Sequence, residues 1–548
     1  MKYSFLHRLL MLTIAVVSSP LLLAAQEEAS MGLDERINEW FTPISNWWLG
    51  VILHNFPGTE ALFGQGIPTI IILLVFGAGF FTVYFGFVNI RKFGLSLRVV
   101  SGKYDELESH GIEEGAQVNV VDGDIVDTIR DESKHGEVSH FQALATAVSG
   151  TVGNGNIAGV ALAIAIGGPG ATFWMILCGL LGMSTKFVEC TLGVKYRDVG
   201  EDGTVYGGPM YYLTKGLQEK GFVTLGKILA AVFAFLCIGA SFGGGNAAQS
   251  NQAAMQLAES FNMTGGSART IIGIILMVFV GIIIIGGIKR IASVTEKIVP
   301  FMAGLYMLGC LYILLVNFTY IDDALGQIFT QAFNPQAGLG GLFGVLITGF
   351  RRAAFSNEAG AGSASIAHSA VKTKYPASEG LVALLEPFID TVVICTMTAL
   401  VIIIFNTGQA EFIYGGDGSG GVIIDGQTLE GAGITAKAFS EYIPFAGGFL
   451  TLAVVLFAVS TMISWSYYGL QSWMFLFGKS KISDLSYKIL FLVFVVIGAA
   501  GDMSSVWGFS DAMILALVFP NMIGLIILYP RVKEELDKYL KAIKTQGS

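Results

Sequence analysis

Long apolar stretches separated by short polar segments run along most of the chain. A helix needs about 20 apolar residues to cross the hydrocarbon core of a membrane, and eleven stretches meet that length, some with glycine or polar interruptions. They span residues 66–90, 139–166, 169–192, 225–258, 269–288, 290–316, 340–365, 377–405, 443–475, 486–500 and 507–529. The pattern predicts an all-α polytopic membrane protein with 11 spans.

The composition agrees with that pattern. Of 548 residues, 53% are hydrophobic and only 13% are charged, whereas soluble domains carry about 25% charged residues. This excludes water-soluble enzymes and nucleic-acid binders. The five cysteines fall in apolar runs without metal-ligand spacing, which is typical of buried free thiols.

The N-terminus has the features of a signal peptide. Lys2 and Arg8 precede an apolar run at 9–23, and two alanines follow the run at 24 and 25, so residues 1–25 are predicted to be a cleaved leader. An uncleaved extra helix is the alternative. Residues 26–65 are amphipathic and contain tryptophans, which favours a periplasmic, interfacial segment.

The charge distribution predicts an orientation. Most of the 32 lysines and arginines lie in loops on one side, and few lie on the other. The positive-inside rule then puts the mature N-terminus outside and the C-terminus in the cytoplasm, in a multi-pass protein of the bacterial plasma (inner) membrane. The tail at 530–548 and the acidic loop at 91–138 are cytoplasmic in this arrangement. The Asp-Gly-Asp at 122–124 in that loop is compatible with a solvated insert or a calcium-binding loop, although it lacks EF-hand spacing.

Two spans contain too many glycines and polar residues to be continuous helices. The first reads SGTVGNGNIAG at 149–159, and the second reads FRRAAFSNEAGAGSASIAHSA at 350–370. Unwound backbone in a membrane is tolerated where it lines a cavity or is buried in protein. Its free amides suit a carboxylate and its free carbonyls suit a small cation.

The two breaks occupy matching positions. They lie about 205 residues apart, and each opens a set of five spans, at 139–316 and at 340–529. An odd number of spans forces the two sets into opposite orientations, and broken helices in inverted halves indicate a transporter's central site. The span at 66–90 is then an extra N-terminal helix. Glycine patterns that serve only close helix packing are the alternative.

Further polar residues interrupt other spans. Gln249 lies among polar residues of the fourth span, and Ser460 and Thr461 lie in the ninth. These hydroxyls can complete a sodium site or make hydrogen bonds between helices. Lys186 and Glu189 are predicted to form an ion pair at an interface or inner gate. An embedded enzyme or a channel is a competing function, but an enzyme needs a nucleophile or metal cluster, and His368 alone among the histidines falls near the breaks.

Five stretches resemble the alanine or glycine:cation symporter family. They read GEVSHFQALATAVSGTVGNGNIAGVA, GGPMYYL, EKIVPFMAGLYML, FSNEAGAGSASIAH and FAVSTMISWSYYG, within a resemblance that covers about residues 60 to 530. The resemblance implies a five-plus-five inverted-repeat fold of the leucine-transporter type with one extra helix. It also implies uptake of alanine or glycine driven by sodium, or by protons in the alternative, with no organic cofactor and no nucleic-acid partner.

The resemblance also implies the site. The amino acid would be bound by residues of both breaks and of the fourth and ninth spans: Thr151, Gly153, Asn154, Gly155, Gln249, Glu358 and Trp465. Sodium would lie between the end of the first half-helix and the ninth span: Thr146, Ser149, Gly150, Ser460 and Thr461.

Overall fold

The computed structural model describes most of the chain beyond the N-terminal segment. It describes residues 33–63, 66–109, 120–121, 124–125, 136–200, 203–263, 265–285, 287–334, 341–410, 412–416, 418, 420–444 and 446–546. The predicted leader at 1–25 lies outside the described residues, as do 110–119, 122–123 and 126–135 of the acidic loop, which include Asp122 and Gly123. Signal peptide and calcium loop therefore stay predictions.

The first part of the chain forms one amphipathic helix, one apolar helix and several short ones. Their bounds are α1 Leu33–Ile52, α2 Thr59–Phe63, α3 Thr69–Tyr84, α4 Val88–Arg91, α5 Phe93–Val100 and α6 Asp105–Ser109, followed by the hairpin β1 Val120–Val121 and β2 Asp124–Ile125. Helix α1 is amphipathic: Phe41 is buried, while Trp40 and Trp47 are largely exposed. This exposure suits a helix that lies at a membrane interface.

The first set of helices follows. Its bounds are α7 His140–Thr151, a π-helical turn Gly155–Gly159, α8 Val160–Gly167, α9 Gly170–Lys195, the hairpin β3 Asp198–Val199 and β4 Val205–Tyr206, α10 Pro209–Tyr211, a π-helical turn Tyr212–Gly216, α11 Leu217–Glu219, α12 Val223–Phe242, a π-helical turn Gly243–Ala247, α13 Ala248–Ser260, α14 Ala268–Ile284 and α15 Gly287–Val316. Helix α7 begins with a capping box in which Ser139 and Gln142 bond reciprocally, which satisfies amides that a helix start leaves free.

The second set repeats that order after a short connection. Its bounds are a 3₁₀ turn Phe318–Tyr320, α16 Ile321–Ala332, α17 Gly341–Asn357, α18 Ala364–His368, α19 Pro376–Ala383, α20 Leu385–Pro387, a π-helical segment Phe388–Cys395, α21 Thr396–Phe405, a π-helical turn Asn406–Ala410, the hairpin β5 Val422–Ile424 and β6 Gln427–Leu429, α22 Ala432–Tyr442, α23 Ala446–Phe477, α24 Lys481–Ala500 and α25 Met503–Gln546. A broken helix therefore opens each set, as the sequence predicts.

The all-α membrane fold is confirmed. Within the described ranges, seven helices are long and apolar enough to cross a membrane, and the bent pair α7 and α8 would make an eighth. The apolar helices α3 and α14 are shorter, at 16 and 17 residues. The exact number of eleven spans stays a prediction.

Burial separates central from peripheral helices. The most apolar windows of α9, α23 and α25 are each 67% buried inside the protein, whereas that of α24 is 33% buried. Helices α14 and α24 expose isoleucine, leucine and phenylalanine side chains, as expected of surfaces that face lipid. The two broken helices lie among the central ones, so the unwound backbone is buried in protein.

Candidate substrate and ion site

The first break lies directly after α7. The chain leaves the helix at Thr151 and re-enters a helical path at Gly155, and the two halves are bent by 51°. Two amides freed by the bend are held by side-chain oxygens. Gly153 N donates to Asn156 Oδ1 at 2.9 Å, and Asn154 N donates to Gln249 Oε1 at 2.9 Å. Each oxygen occupies a position that a carboxylate oxygen could take.

Gln249 reaches the break from the start of α13. Its Nε2 donates to Gly244 O at 3.0 Å, within the π-helical turn that precedes α13. The backbone carbonyl oxygen of Gln249 accepts from Asn154 Nδ2 at 3.3 Å. Irregular turns of this kind are common at functional sites, and here one brings a polar side chain to the bend.

The end of α7 and the middle of α23 are joined by two hydrogen bonds. Thr461 Oγ1 donates to Ser149 O at 3.0 Å, and Ser149 Oγ donates to Ser460 O at 2.8 Å. In a continuous helix the carbonyls of Ser149 and Gly150 would accept from residues 153 and 154, whose amides donate elsewhere. Carbonyl and hydroxyl oxygens therefore converge here, which is the ligand chemistry of a small hard cation.

Thr146 lies apart from this group. It belongs to the regular part of α7, where its hydroxyl donates to Gln142 O at 2.8 Å. The same hydroxyl lies 3.2 Å from Thr295 Oγ1 of α15. The structure thus groups Ser149, Ser460 and Thr461 and places the Thr146 side chain against a different helix.

The second break begins at Glu358. Its backbone has a left-handed φ of 56°, and it is followed by glycines with φ of 95° at Gly360 and 84° at Gly362. The Glu358 carboxylate accepts from Trp465 Nε1 at 2.8 Å and from the hydroxyl of Ser363. Two residues assigned to the site from sequence, on different helices, are therefore in direct contact.

Close packing surrounds Trp465. Its side chain is fully buried, and a methyl group built on Gly245 would overlap the indole. The π-helical turn Gly243–Ala247 therefore comes close to the ring because Gly245 has no side chain. A wall of this kind is rigid, since a closely packed interior has no spare volume.

The glycines of the first break differ in the space around them. A Cβ on Gly153 would overlap Thr461 Oγ1 and lie 3.0 Å from Gln249 Oε1. A Cβ on Gly155 would lie 3.5 Å from the ring of Phe355, an ordinary van der Waals distance. Gly153 therefore lies where the substrate-assigned and sodium-assigned residues meet, and Gly155 faces the second broken helix.

Sequence reasoning missed Asp390. This buried residue lies in the π-helical segment at 388–395, where its carboxylate accepts from Asn156 Nδ2 at 2.7 Å and from Ser356 Oγ at 2.9 Å. Thr391 Oγ1 donates to it at 2.6 Å. One carboxylate thus connects both broken helices. The signal available in the sequence was a lone acidic residue within an apolar span.

The predicted pair of Lys186 with Glu189 is wrong. Lys186 Nζ lies 3.0 Å from Glu386 Oε1 of α20, and both side chains are fully buried. Glu189 instead accepts from Asn521 Nδ2 of α25 at 2.8 Å. Neighbours along a helix suggested one partner, but helix packing brought a carboxylate 200 residues away to the lysine.

Among the described residues, no group of three or more histidine, cysteine or acidic side chains could hold a metal ion. The five cysteines are buried and free. The assembled groups are backbone amides, hydroxyls, carbonyls and a tryptophan wall, which can bind a small zwitterion and a monovalent cation.

Comparison with known proteins gives consistent matches. Residues 58–548 match the model of the sodium:alanine symporter family. The sodium/alanine symporter AgcS of Methanococcus maripaludis is 39% identical over 88% of this chain and 96% of its own. The amino-acid carrier protein AlsT of Bacillus subtilis is 34% identical over 83% of this chain and 86% of its own length. MhsT, seen in a crystal structure in complex with L-phenylalanine, is 16% identical in sequence. The match covers 72% of this chain and 98% of MhsT, with a TM-score of 0.45.

Proposed function

The chain belongs to the sodium:alanine symporter family, and from its site we propose that it carries alanine or glycine into the cell together with sodium. Membership makes it a membrane transporter of the cation-coupled amino-acid symport class and not an enzyme. The observation that carries the finer proposal is that Gln249 and Thr461 both bond to the first broken helix. Trp465, one helical turn beyond Thr461 on α23, bonds to Glu358 of the second break.

The substrate's carboxylate would bind at the first break. The amides of Gly153 and Asn154 point at oxygen atoms of Asn156 and Gln249. A carboxylate that arrives there replaces neutral oxygens by charged ones, and hydrogen bonds to a charged acceptor are about twice as strong. Gln249 then turns its amide toward the substrate. No arginine is needed for this recognition.

The substrate's ammonium and side chain would face the second break. Glu358 supplies a carboxylate at this position, and Trp465 donates to it. The indole bounds the space left for a side chain, so that alanine or glycine fits and larger amino acids are excluded. A pocket discriminates one methylene by only about 1–3 kcal/mol, so a rigid wall is the stronger device.

Sodium would bind between α7 and α23. The oxygens assigned to sodium are those of Ser149, Gly150, Ser460 and Thr461. Thr146, which is also assigned to sodium, lies one turn earlier in α7. Sodium bound there bridges the two helices, so it would stabilise the arrangement of the first break that binds the amino acid. This is the physical basis proposed for coupling.

The proposed setting is the inner membrane of a bacterium, with the mature N-terminus outside and the C-terminus in the cytoplasm. It rests on the distribution of lysine and arginine and on the exposed tryptophans of α1. The lipid bilayer surrounds the apolar faces of α14 and α24.

Proton coupling is the second candidate. Glu358 is a buried carboxylate at the proposed site, and an intramembrane carboxylate can carry a proton. The test is uptake of labelled alanine into proteoliposomes under an inward sodium gradient, an inward proton gradient, both or neither. Sodium-dependent accumulation supports the proposal, and uptake that follows the proton gradient in sodium-free buffer favours the alternative.

A further inference from the structure

A cavity of about 350 Å³ lies between the C-terminal end of α13 and the segment formed by β6 and the start of α22. The proposed orientation puts this end of α13 outside the cell. The volume is many times that of one water molecule, which is about 30 Å³ in the liquid. It lies within the range of about 300–1,000 Å³ that is typical of small-molecule pockets. The cavity is therefore large enough for an amino acid. We name it the outer cavity.

The outer cavity has an acidic lining. Glu259 and Glu430 contribute carboxylates, and Gln256 contributes a side-chain amide. No lysine, arginine or histidine is among the described residues that line it. Met255 and Leu429 supply apolar surface beside the polar groups. Acceptors next to a small apolar surface suit a positively charged group with a short hydrocarbon part.

Gln256 is an independent indication of a ligand. Its side chain lines the outer cavity and is only 5% exposed. Within the part of the chain that the structure describes, its Oε1 has no hydrogen-bond partner. A buried acceptor without a partner is costly, so we expect a donor from outside the chain at this position.

A polar face of α13 connects the outer cavity to the proposed substrate site. Gln249, Gln252, Gln256 and Glu259 follow one another at intervals of three or four residues, which places them on one side of the helix. Gln249 bonds to the first break at the inner end of this face. Gln256 lies seven residues further along, a rise of about 10 Å. The face therefore marks a short polar route from the outer cavity to the break.

Helix α22 closes this route. At its start, Ala432 N donates to Gln252 Oε1 at 3.0 Å. Further along, Thr435 Oγ1 donates to Ile157 O at 3.2 Å, in the π-helical turn of the first break. An amino acid in the outer cavity has to displace the contact of Gln252 with α22 before it moves inward. The outer cavity is thus separate from the site at the first break.

We propose that the outer cavity is a second binding site for the transported amino acid, which is occupied before the first break. The ammonium group of alanine or glycine donates to Gln256 and to the carboxylates of Glu259 and Glu430. The short side chain lies against Met255, and the amino acid's carboxylate faces water. The inference rests on the proposed function and adds a position for the same substrate. With only the ammonium group held, this site is expected to bind alanine more weakly than the first break does.

The experiment introduces a thiol into the outer cavity of the full-length, solubilised protein. A Cβ added at Gly433 would lie 4.0 Å from both Glu259 Oε2 and Leu429 Cδ2, so Gly433→Cys fits without displacing a neighbour. The five native cysteines are buried, which protects them from a cationic methanethiosulfonate reagent. The rate of modification is measured from the mass of the intact protein, in potassium buffer without sodium.

Alanine at ten times its dissociation constant should slow the modification about tenfold, because only the unoccupied cavity reacts. Ethylamine has the ammonium group without the carboxylate and should also slow it, whereas propionate should not. Gln256→Met should raise the alanine concentration for half-protection by about tenfold or more, because a hydrogen bond to a charged group is lost. Glu259→Gln should raise it by a smaller factor, because water screens this exposed carboxylate.

Glu441→Gln is the matched control. Glu441 lies at the other end of α22 and is not one of the residues that line the outer cavity. The variant therefore removes the same charge from the same side of the protein. Half-protection should stay within about twofold, because an exposed charge at a distance contributes little. Gly153→Val combined with Gly433→Cys disables the first break and should keep the protection by alanine, because the two sites are separate.

The outcomes separate the outer site from the proposed function. Alanine uptake by the Gly433→Cys protein without protection of its thiol overturns the outer site and leaves the symport proposal standing. Equal protection by propionate, or by sodium in place of potassium, also overturns it, since the cavity then does not select an ammonium group.

A movement of α22 caused by alanine at the first break is the remaining explanation for protection. In that case protection disappears with Gly153→Val and ethylamine gives none, and the outer site is overturned. The ethylamine result decides the question by itself if the Gly153→Val protein does not fold. Absence of both alanine binding and alanine uptake in wild type refutes the symport proposal and the outer site together.

Discussion

Thr461 offers the sharpest test of the proposed sodium site. Its hydroxyl is buried and donates to the carbonyl oxygen of Ser149 at 3.0 Å. Thr461→Val keeps the branched shape of the side chain and removes only the oxygen. The change therefore takes one ligand from the proposed cation and one hydrogen-bond donor from the sodium-free state.

The lost sodium ligand weakens sodium binding, whereas the lost hydrogen bond to Ser149 favours it. The difference between these two free energies sets the expected change in sodium affinity. A hydrogen-bond-like contact to a charged group contributes about 1.5–3 kcal/mol. In the sodium-free state, the Ser149 carbonyl loses a partner at a cost of about 1 kcal/mol, which sodium binding would relieve. The remaining loss is about 0.5–2 kcal/mol, or a rise of about 2- to 30-fold in the sodium concentration for half-maximal uptake.

The assay is labelled-alanine uptake into proteoliposomes as a function of external sodium. Thr461→Ser, which restores the hydroxyl, should return within about twofold of wild type. Thr451→Val is the matched control on the same helix, since its hydroxyl bonds to Gly447 O at 2.7 Å and Ser260 Oγ at 2.6 Å. An unchanged sodium dependence in Thr461→Val, or equal defects in the valine and serine variants, would refute the site.

Other predictions follow from the same contacts. Gly153→Val should abolish high-affinity alanine binding to the solubilised protein, because a Cβ at this position overlaps the Thr461 side chain. Gly155→Ala should bind alanine with an affinity within about tenfold of wild type, because a Cβ there has room. Equal alanine affinities in the two variants would contradict this prediction. Trp465→Ala should let valine and leucine compete with alanine for uptake, and it should weaken alanine binding by about 1–3 kcal/mol. If valine and leucine still fail to compete, another residue excludes large side chains. Lys186→Met should destabilise the protein by about 3–5 kcal/mol, seen as a lower melting temperature, and adding Glu386→Gln should recover much of it; no recovery would argue against the pair.

The sequence alone predicted the parts of the fold that depend on local composition. Apolar run length specifies membrane helices because each helix must satisfy its backbone and face lipid by itself. Clustered glycine, asparagine and serine at 149–159 and 350–370 predicted two breaks, and both are present. These features need only neighbours along the chain.

Packing between helices was beyond the reach of the sequence. Lys186 has Glu189 one turn away, yet its partner is Glu386. Asp390 gave no periodic signal, yet it bonds to Asn156 and Ser356 of the two broken helices.

The same division holds within the proposed site. The family resemblance implied that Ser149 and Thr461 could share a cation, but only tertiary structure placed the hydroxyl of one against the carbonyl of the other. It also put the Thr146 side chain against Thr295 of α15. Local backbone preference decides where a helix can break. The pairing of polar groups buried in a membrane depends instead on which helices lie beside that break, because each buried polar atom takes the partner that packing brings within reach.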